Sequence, residues 1–163
     1  MYKAGIITAS DKGHAGQRID ESGKVIMKFL DRLGIEIAGY SVLPDDRSRL
    51  SDEMKQMADE LSVNLILTTG GTGFSPRDIT PEATLDVIHR TVPGIPEAMR
   101  QKSLEITPRA MLSRAVAGIR NRTLIINLPG SPKAVGECLE VIEPVLSHAL
   151  EILQGTGGEC AAP

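Results

Sequence analysis

Aromatic side chains are nearly missing from this sequence. There is no tryptophan, and only two tyrosines and two phenylalanines occur in 163 residues. The bases of a single-stranded nucleic acid therefore have too few rings to stack on. Lysine and arginine form no dense run, and the formal net charge is −3. A basic surface, the other usual footing for nucleic acid, is missing as well. Cysteine is almost as scarce. Cys138 and Cys160 form neither a CxxC pair nor a Cys/His cluster, so the spacing argues against a zinc site. Cys138 falls on an apolar helix face and Cys160 in the tail. His14, His89 and His148 show no metal-ligand spacing, and His89 near a helix end reads as structural. No apolar run reaches membrane length, and no signal segment opens the chain. The expectation is a cytoplasmic protein with no membrane partner. The Asn121-Arg122-Thr123 sequon then reads as a turn.

What is present is a large aliphatic fraction. Hydrophobic residues make up 41% of the chain, enough for one domain with an aliphatic core. The expected division is a single domain over residues 1–155 and a flexible tail over 156–163. Residues 3–9 read as a first strand near the sheet centre, followed by a polar loop from Ser10 to Gly16. Val25, Ile26, Phe29, Leu30 and Leu33 recur at helical spacing from about Glu21, and Gly34 stops that helix. Ile35 to Val42 alternate as a strand. Leu43-Pro44-Asp45-Asp46 leads to a second helix with Leu50, Met54, Met57, Ala58 and Leu61 on one face. Val63 to Thr68 form a third strand. A helix from Pro81 to about His89 is followed by a turn at Pro93-Gly94-Ile95-Pro96. A further helix from Glu97 to Glu105 offers Ala98, Met99 and Leu104 for packing. Ala115 to Ile119 and Thr123 to Leu128 predict an antiparallel hairpin. Ser131 and Pro132 open a long last helix, capped by the first and bent at Pro144. Alternating strands and helices predict a three-layer α/β/α sandwich around a mostly parallel sheet.

Ligands of such sheets sit beyond the carboxyl ends of the strands. Three polar loops fall at that edge: Ser10-Asp11, Pro44-Asp45-Asp46, and the stretch from Gly70 to Asp78. The last carries Gly70-Gly71-Thr72-Gly73, then Arg77-Asp78, then a helix start at Thr80-Pro81. Glycines let backbone N–H groups approach an anion, and a following helix adds its positive end. The stretch is not a Walker loop, for no Lys-Ser/Thr pair follows. It is not the dinucleotide fingerprint either, because Pro76 stands where the third glycine belongs. Asp78 is either a solvated loop carboxylate or a Mg²⁺ ligand beside bound phosphates, with Asp45 as its partner. Arg77 either neutralises a phosphate or is a surface charge. Ser10 and Asp11 either touch ligand or cap their loop. Ser131 reads as a helix cap; it has no elbow motif or activating histidine for a nucleophile.

Thr69-Gly70-Gly71-Thr72-Gly73-Phe74-Ser75-Pro76-Arg77-Asp78-Ile79-Thr80-Pro81-Glu82-Ala83-Thr84 resembles the signature of the MogA/MoaB family of molybdenum cofactor biosynthesis, which includes the G domain of gephyrin. Leu43-Pro44-Asp45-Asp46, Ser113-Arg114-Ala115 and Leu128-Pro129-Gly130-Ser131-Pro132-Lys133 are similar to the family pattern too. The resemblance implies a molybdopterin adenylyltransferase. Such an enzyme moves AMP from MgATP to the terminal phosphate of molybdopterin and releases pyrophosphate. The resemblance also implies the three-layer fold, a homotrimer and handover to a molybdenum-insertion protein. Asp45 and Asp78 match the family's functional aspartates, as catalytic carboxylates holding Mg²⁺. Gly70, Gly71, Thr72 and Gly73, with Arg77, match the nucleotide-phosphate segment. Pro129, Gly130, Ser131 and Lys133 match the pterin side, and Ser10 and Asp11 join the binding set. The alternative is a non-catalytic molybdopterin-binding or scaffold protein of the same fold.

Overall fold

A computed structural model describes residues 1–156. Cys160 and the tail beyond residue 156 lie outside the described residues. Six strands form one sheet in the order β2-β1-β3-β6-β5-β4. They are β1 (Lys3–Ala9), β2 (Glu36–Leu43), β3 (Leu65–Thr69), β4 (Arg90–Thr91), β5 (Ala117–Arg120) and β6 (Thr123–Leu128). The β1–β2, β1–β3 and β3–β6 pairings are parallel. The β5–β6 and β4–β5 pairings are antiparallel. The predicted hairpin is β5–β6, and Asn121 turns it at φ 51.

Side chains of a strand alternate between faces, and this alternation builds two cores. Ile6, Leu67 and Ile126 are register partners across β1, β3 and β6. They pack under α2 (Glu21–Arg32), α5 (Gly94–Leu104) and α6 (Pro132–Gln154). The other face presents Ile7, Ile66 and Ile125 to α3 (Arg47–Lys55) and α4 (Thr80–Leu85). Central strands buried on both sides read as near-continuous apolar runs, and β3 is buried at every position. The result is the expected three-layer α/β/α sandwich with a mostly parallel sheet.

The differences from the sequence reading have local causes. Asp11–His14 is a short helix, α1, rather than a loop, with Ser10 as its cap. Pro93–Pro96 is not a turn: α5 begins at Gly94, because a proline in the first helical turn lacks only an N–H that has no partner there. The helix from Thr80 ends at Leu85, not His89. The His89 amide instead bonds Ile119, which starts β4. A 3-10 turn, Pro108–Leu112, was not anticipated. The second helix widens into a π-turn over Gln56–Glu60. Met57 and Ala58 stay buried there, while Leu61 is exposed. Ala98 and Leu104 are likewise exposed, and of the three packing candidates on α5 only Met99 is buried. α6 runs through Pro144 to Gln154 as one helix; a single missing amide bond to Glu140 does not end it. Its face of Val135, Cys138, Leu139, Ile142, Leu146 and Leu150 is buried.

Candidate active site

Four parallel strands end on one edge, so four connections converge there: Ser10-Asp11, residues 44–46, residues 70–79 and residues 129–131. Between them lies a cavity of about 660 Å³. Of the residues singled out in the sequence, Ser10, Asp11, Asp45, Gly70, Gly71, Asp78, Gly130 and Ser131 line it. Thr72, Gly73, Arg77, Pro129 and Lys133 do not. Thr72 is buried and its carbonyl accepts the Arg114 amide. The Gly73 carbonyl is held by the Arg114 side chain. Arg77 reaches over the rim to Asp11. The Pro129 carbonyl accepts the Thr69 hydroxyl at 2.6 Å. Lys133 projects from α6 toward Glu137, 3.9 Å away.

The glycine turn owes its shape to the absence of side chains. Gly70 has φ +89, and a Cβ there would stand 2.4 Å from the Ala9 carbonyl oxygen. Gly71 has φ +68, and a Cβ there would stand 2.3 Å from the Thr80 hydroxyl. Both positions lie where a side chain is strained and crowded. The chain can turn sharply beside β1 and offer bare backbone to the cavity.

The acidic wall is organised by reciprocal bonds. The Asp45 amide donates to the Asp11 carboxylate at 3.0 Å, and the Asp11 amide donates to the Asp45 carboxylate at 3.3 Å. Arg77 forks onto Asp11 through Nε and Nη2 at 3.0 and 2.9 Å. These bonds, Arg77 first and the Asp45 amide second, hold the Asp11 carboxyl below its ordinary range. The ion pair is exposed on both sides, so its contribution to stability is small. Asp45 behaves oppositely. Burial first, and then the negative charges of Asp11 and Asp78, push its carboxyl up. Its Oδ1 is buried without a hydrogen-bond partner, as is the Thr80 hydroxyl. Asp78 caps its own turn: Oδ2 accepts the Ser75 amide at 2.9 Å.

The opposite wall was not singled out in the sequence. Thr8, Lys12, Arg18, Asp20 and Ser22 line it. Asp20 caps α2 through the Gly23 amide at 2.9 Å and accepts the hydroxyls of Thr8 at 2.6 Å and Tyr40 at 2.5 Å. Burial, then the bond to Asp20, push the Tyr40 phenol up. Ser22 donates to the Gly130 carbonyl at 2.7 Å, tying α2 to the turn before α6. One signal was available: β1 ends beside the start of α2, so Thr8 and the cap of α2 must face one another. Ser131 caps α6 through the Ala134 amide at 3.2 Å, as its place before Pro132 predicts. His89 accepts the Asn121 amide at 3.3 Å, a structural role.

A divalent cation fits the donor chemistry of the acidic wall. Asp45 offers a buried, unpartnered carboxylate oxygen, and Asp78 lines the same cavity. Among the described residues, no three His, Cys, Asp or Glu side chains are grouped to hold a metal by themselves. Such a set suits Mg²⁺ shared with phosphate oxygens rather than a cage made only of protein.

Fold and site thus define an α/β protein with a polar ligand cavity at the carboxyl edge of its parallel strands. Comparison with known proteins is more specific. The family model described as "Probable molybdopterin binding domain" matches residues 5–148, and the chain belongs to that family. A molybdopterin adenylyltransferase of Helicobacter pylori (strain J99) is 42% identical over 153 residues, 93% of this chain and 87% of its own. Gephyrin of Dictyostelium discoideum is 43% identical over 159 residues, 91% of this chain and 22% of its own. The crystal structure of the molybdopterin biosynthesis enzyme MoaB of Thermus thermophilus superposes with a TM-score of 0.90 at 48% identity, covering 95% of this chain and 98% of that one.

Proposed function

We propose that the protein is a molybdopterin adenylyltransferase that uses MgATP. The observation that carries this reading is the convergence of the bare Gly70-Gly71 backbone with Asp45 and Asp78 on one cavity. The adenylyltransferase name of relatives about 40% identical over most of the chain supports it. A terminal phosphate oxygen of molybdopterin attacks the α-phosphorus of ATP. The new O–P bond forms as the bond from the α-phosphorus to its bridging oxygen breaks, and pyrophosphate leaves with that electron pair. The attacking phosphate is already ionised near neutrality, so no strong base is required. The protein's task is to place two polyanions in line and offset their charge.

The turn amides at Gly70 and Gly71 hold phosphate oxygens. Asp45 and Asp78 would hold Mg²⁺, which would supply positive charge to offset that of the phosphates. The Asp45 carboxyl, raised by burial and by the charges of Asp11 and Asp78, is a site where a bound cation would offset unfavourable negative charge. Arg77 can leave Asp11 for a phosphate, since that pair is exposed. Gly130 and Ser131, with Ser10 and the wall of Asp20, face the pterin. The same reading includes a homotrimer, supported by exposed Leu104, Ile106, Met111 and Leu112 around the end of α5. It also places the protein in the cytoplasm, with handover to a molybdenum-insertion protein; no helix among the described residues is long and apolar enough to cross a membrane.

The test is incubation with molybdopterin and ATP, with and without Mg²⁺. Adenylylated molybdopterin and equimolar pyrophosphate, formed only with Mg²⁺, are the expected products. Tight molybdopterin binding without either product would replace the enzyme by a binding or scaffold protein.

A further inference from the structure

We propose that Arg114, which lies outside the glycine-loop motif, is the positioning residue that sets the spacing between Gly73 and Asp78 and so aims Asp78 into the cavity. This rests on the adenylyl-transfer reading for its kinetic consequences, but not for its structural ones.

The segment from Phe74 to Arg77 is exposed. Its internal bonds close a small turn, with the Asp78 amide on the Ser75 carbonyl at 2.9 Å and the Ser75 amide on the Asp78 carboxylate at 2.9 Å. None of these ties the turn to the sheet. The Arg77–Asp11 pair does so only through two exposed side chains.

The Thr80 amide closes the base of the loop on the Gly71 carbonyl at 3.1 Å, and Arg114 supplies the side-chain ties above it. Its Nε donates to the Gly73 carbonyl at 2.8 Å, and its Nη2 to the Asp78 carbonyl at 2.9 Å. Its Nη1 pairs with the Glu82 carboxylate on α4. Its backbone amide donates to the Thr72 carbonyl at 2.8 Å. One planar group therefore spans Gly73, Asp78 and the helix that follows. Burial pushes the Glu82 carboxyl up, and the bond from Arg114, the Glu82 backbone amide and the charges of Arg114 and Arg47 together leave it lowered.

The base of Arg114 is itself fixed. Two residues on, the Val116 amide donates to the buried Asn127 carboxamide at 3.2 Å. Asn127 also donates to Thr84 of α4 at 2.9 Å. The clasp and the helix it grips thus share one anchor in β6.

A guanidinium presents five N–H groups in a fixed plane, whereas a lysine ammonium is a single point of charge on a flexible stem. The geometry therefore calls for arginine and not merely for positive charge.

The experiment compares Arg114→Gln, Arg114→Lys and Glu82→Gln with the parent protein. Hydrogen exchange is read first. In Arg114→Gln the amides of residues 73–78 should exchange about 10-fold faster or more, while those of β3 stay unchanged. Kinetics are read next. The kcat should fall about 10- to 100-fold with KM for ATP moving far less, as expected when a reacting group is misplaced by about an ångström. Arg114→Lys should recover little of either, and Glu82→Gln should shift both in the same direction by less. Unchanged exchange over residues 73–78, or full recovery by lysine, would overturn the proposal. Should Arg114→Gln fail to fold, Arg114→Lys and Glu82→Gln decide by the same two readouts. A parent protein with no transfer activity would defeat the adenylyl-transfer reading and leave the exchange result to judge the clasp.

Discussion

The chain makes the same turn twice and puts it to different uses. After β3 and again after β6 it leaves the sheet through glycine and starts a helix with proline in its first turn. The two turns touch: a Cβ on Gly130 would stand 3.6 Å from the Gly70 Cα. After β6 the chain enters α6 at once, and Ser131 caps a helix of 23 residues. After β3 it makes a detour of ten residues, carries two charged side chains, and reaches a helix of only six residues with no side-chain cap. The short turn caps its helix with its own Ser131, takes the Thr69 and Ser22 hydroxyls on its carbonyls, and lends a wall to the cavity. The long one needs help from Arg114, and in return it presents Asp78. The long turn carries Arg77 and Asp78, and the short turn carries no charged side chain before its helix.

The contrast is sharpest in the glycines. Gly71→Ala places a methyl group 2.3 Å from the Thr80 hydroxyl at φ +68. Strain and overpacking together should cost about 2–4 kcal/mol, read as a fall in Tm of about 2–4 °C per kcal/mol for a chain of this size. Gly130→Ala meets only an ordinary contact, and its Tm change should lie within about 0.5 kcal/mol of zero. Equal losses at the two sites would break the comparison. Ser131→Ala tests the supporting turn, and loss of that cap should cost about 1 kcal/mol in urea unfolding.

The smallest effect should come from Asp45→Asn, and its sign is opposite. The folded-state pKa of Asp45 lies above its ordinary 3.8, so the folded chain binds more protons than the unfolded chain just above that pH. Stability is then lost as pH rises from 3.8 through the folded pKa, and above it the parent carries the whole cost of a crowded charge. In metal-free buffer at pH 7, Asp45→Asn should unfold at a higher temperature than the parent. The gain should disappear below about pH 3.8, where both side chains are neutral. A variant that is less stable at pH 7 would show that the carboxylate is well compensated in the free protein.

Much of this arrangement was legible in the sequence because it is local. The spacing of Ile26, Phe29 and Leu30 marks α2, and the apolar run before Thr69 marks β3. The chain order of strands and helices then sends Asp45 and Asp78 to one edge without any knowledge of distances. What escaped is tertiary. α1 has four residues and β4 has two, too short for a period; each exists because a neighbour accepts its bonds. Arg114 comes 41 residues after Gly73, and only the folded path past Asn127 brings the two together. Asp20, Thr8 and Tyr40 meet because the edge strand β2 lies beside β1, which places a phenol far along the chain against a helix cap. Residues 72 and 73 belong to the signature stretch, yet they serve the loop's anchorage and do not line the cavity.

In the proposed reaction the β3 turn carries the chemistry through Asp78. The direct measurement is transfer by Asp78→Ala at saturating molybdopterin and MgATP, with molybdopterin binding followed in parallel. Removal of one charge-stabilising group should lower kcat about 100- to 1,000-fold and leave molybdopterin affinity within a few-fold of the parent. Transfer at the parental rate would rule out that role for Asp78 and move the chemistry elsewhere on the edge.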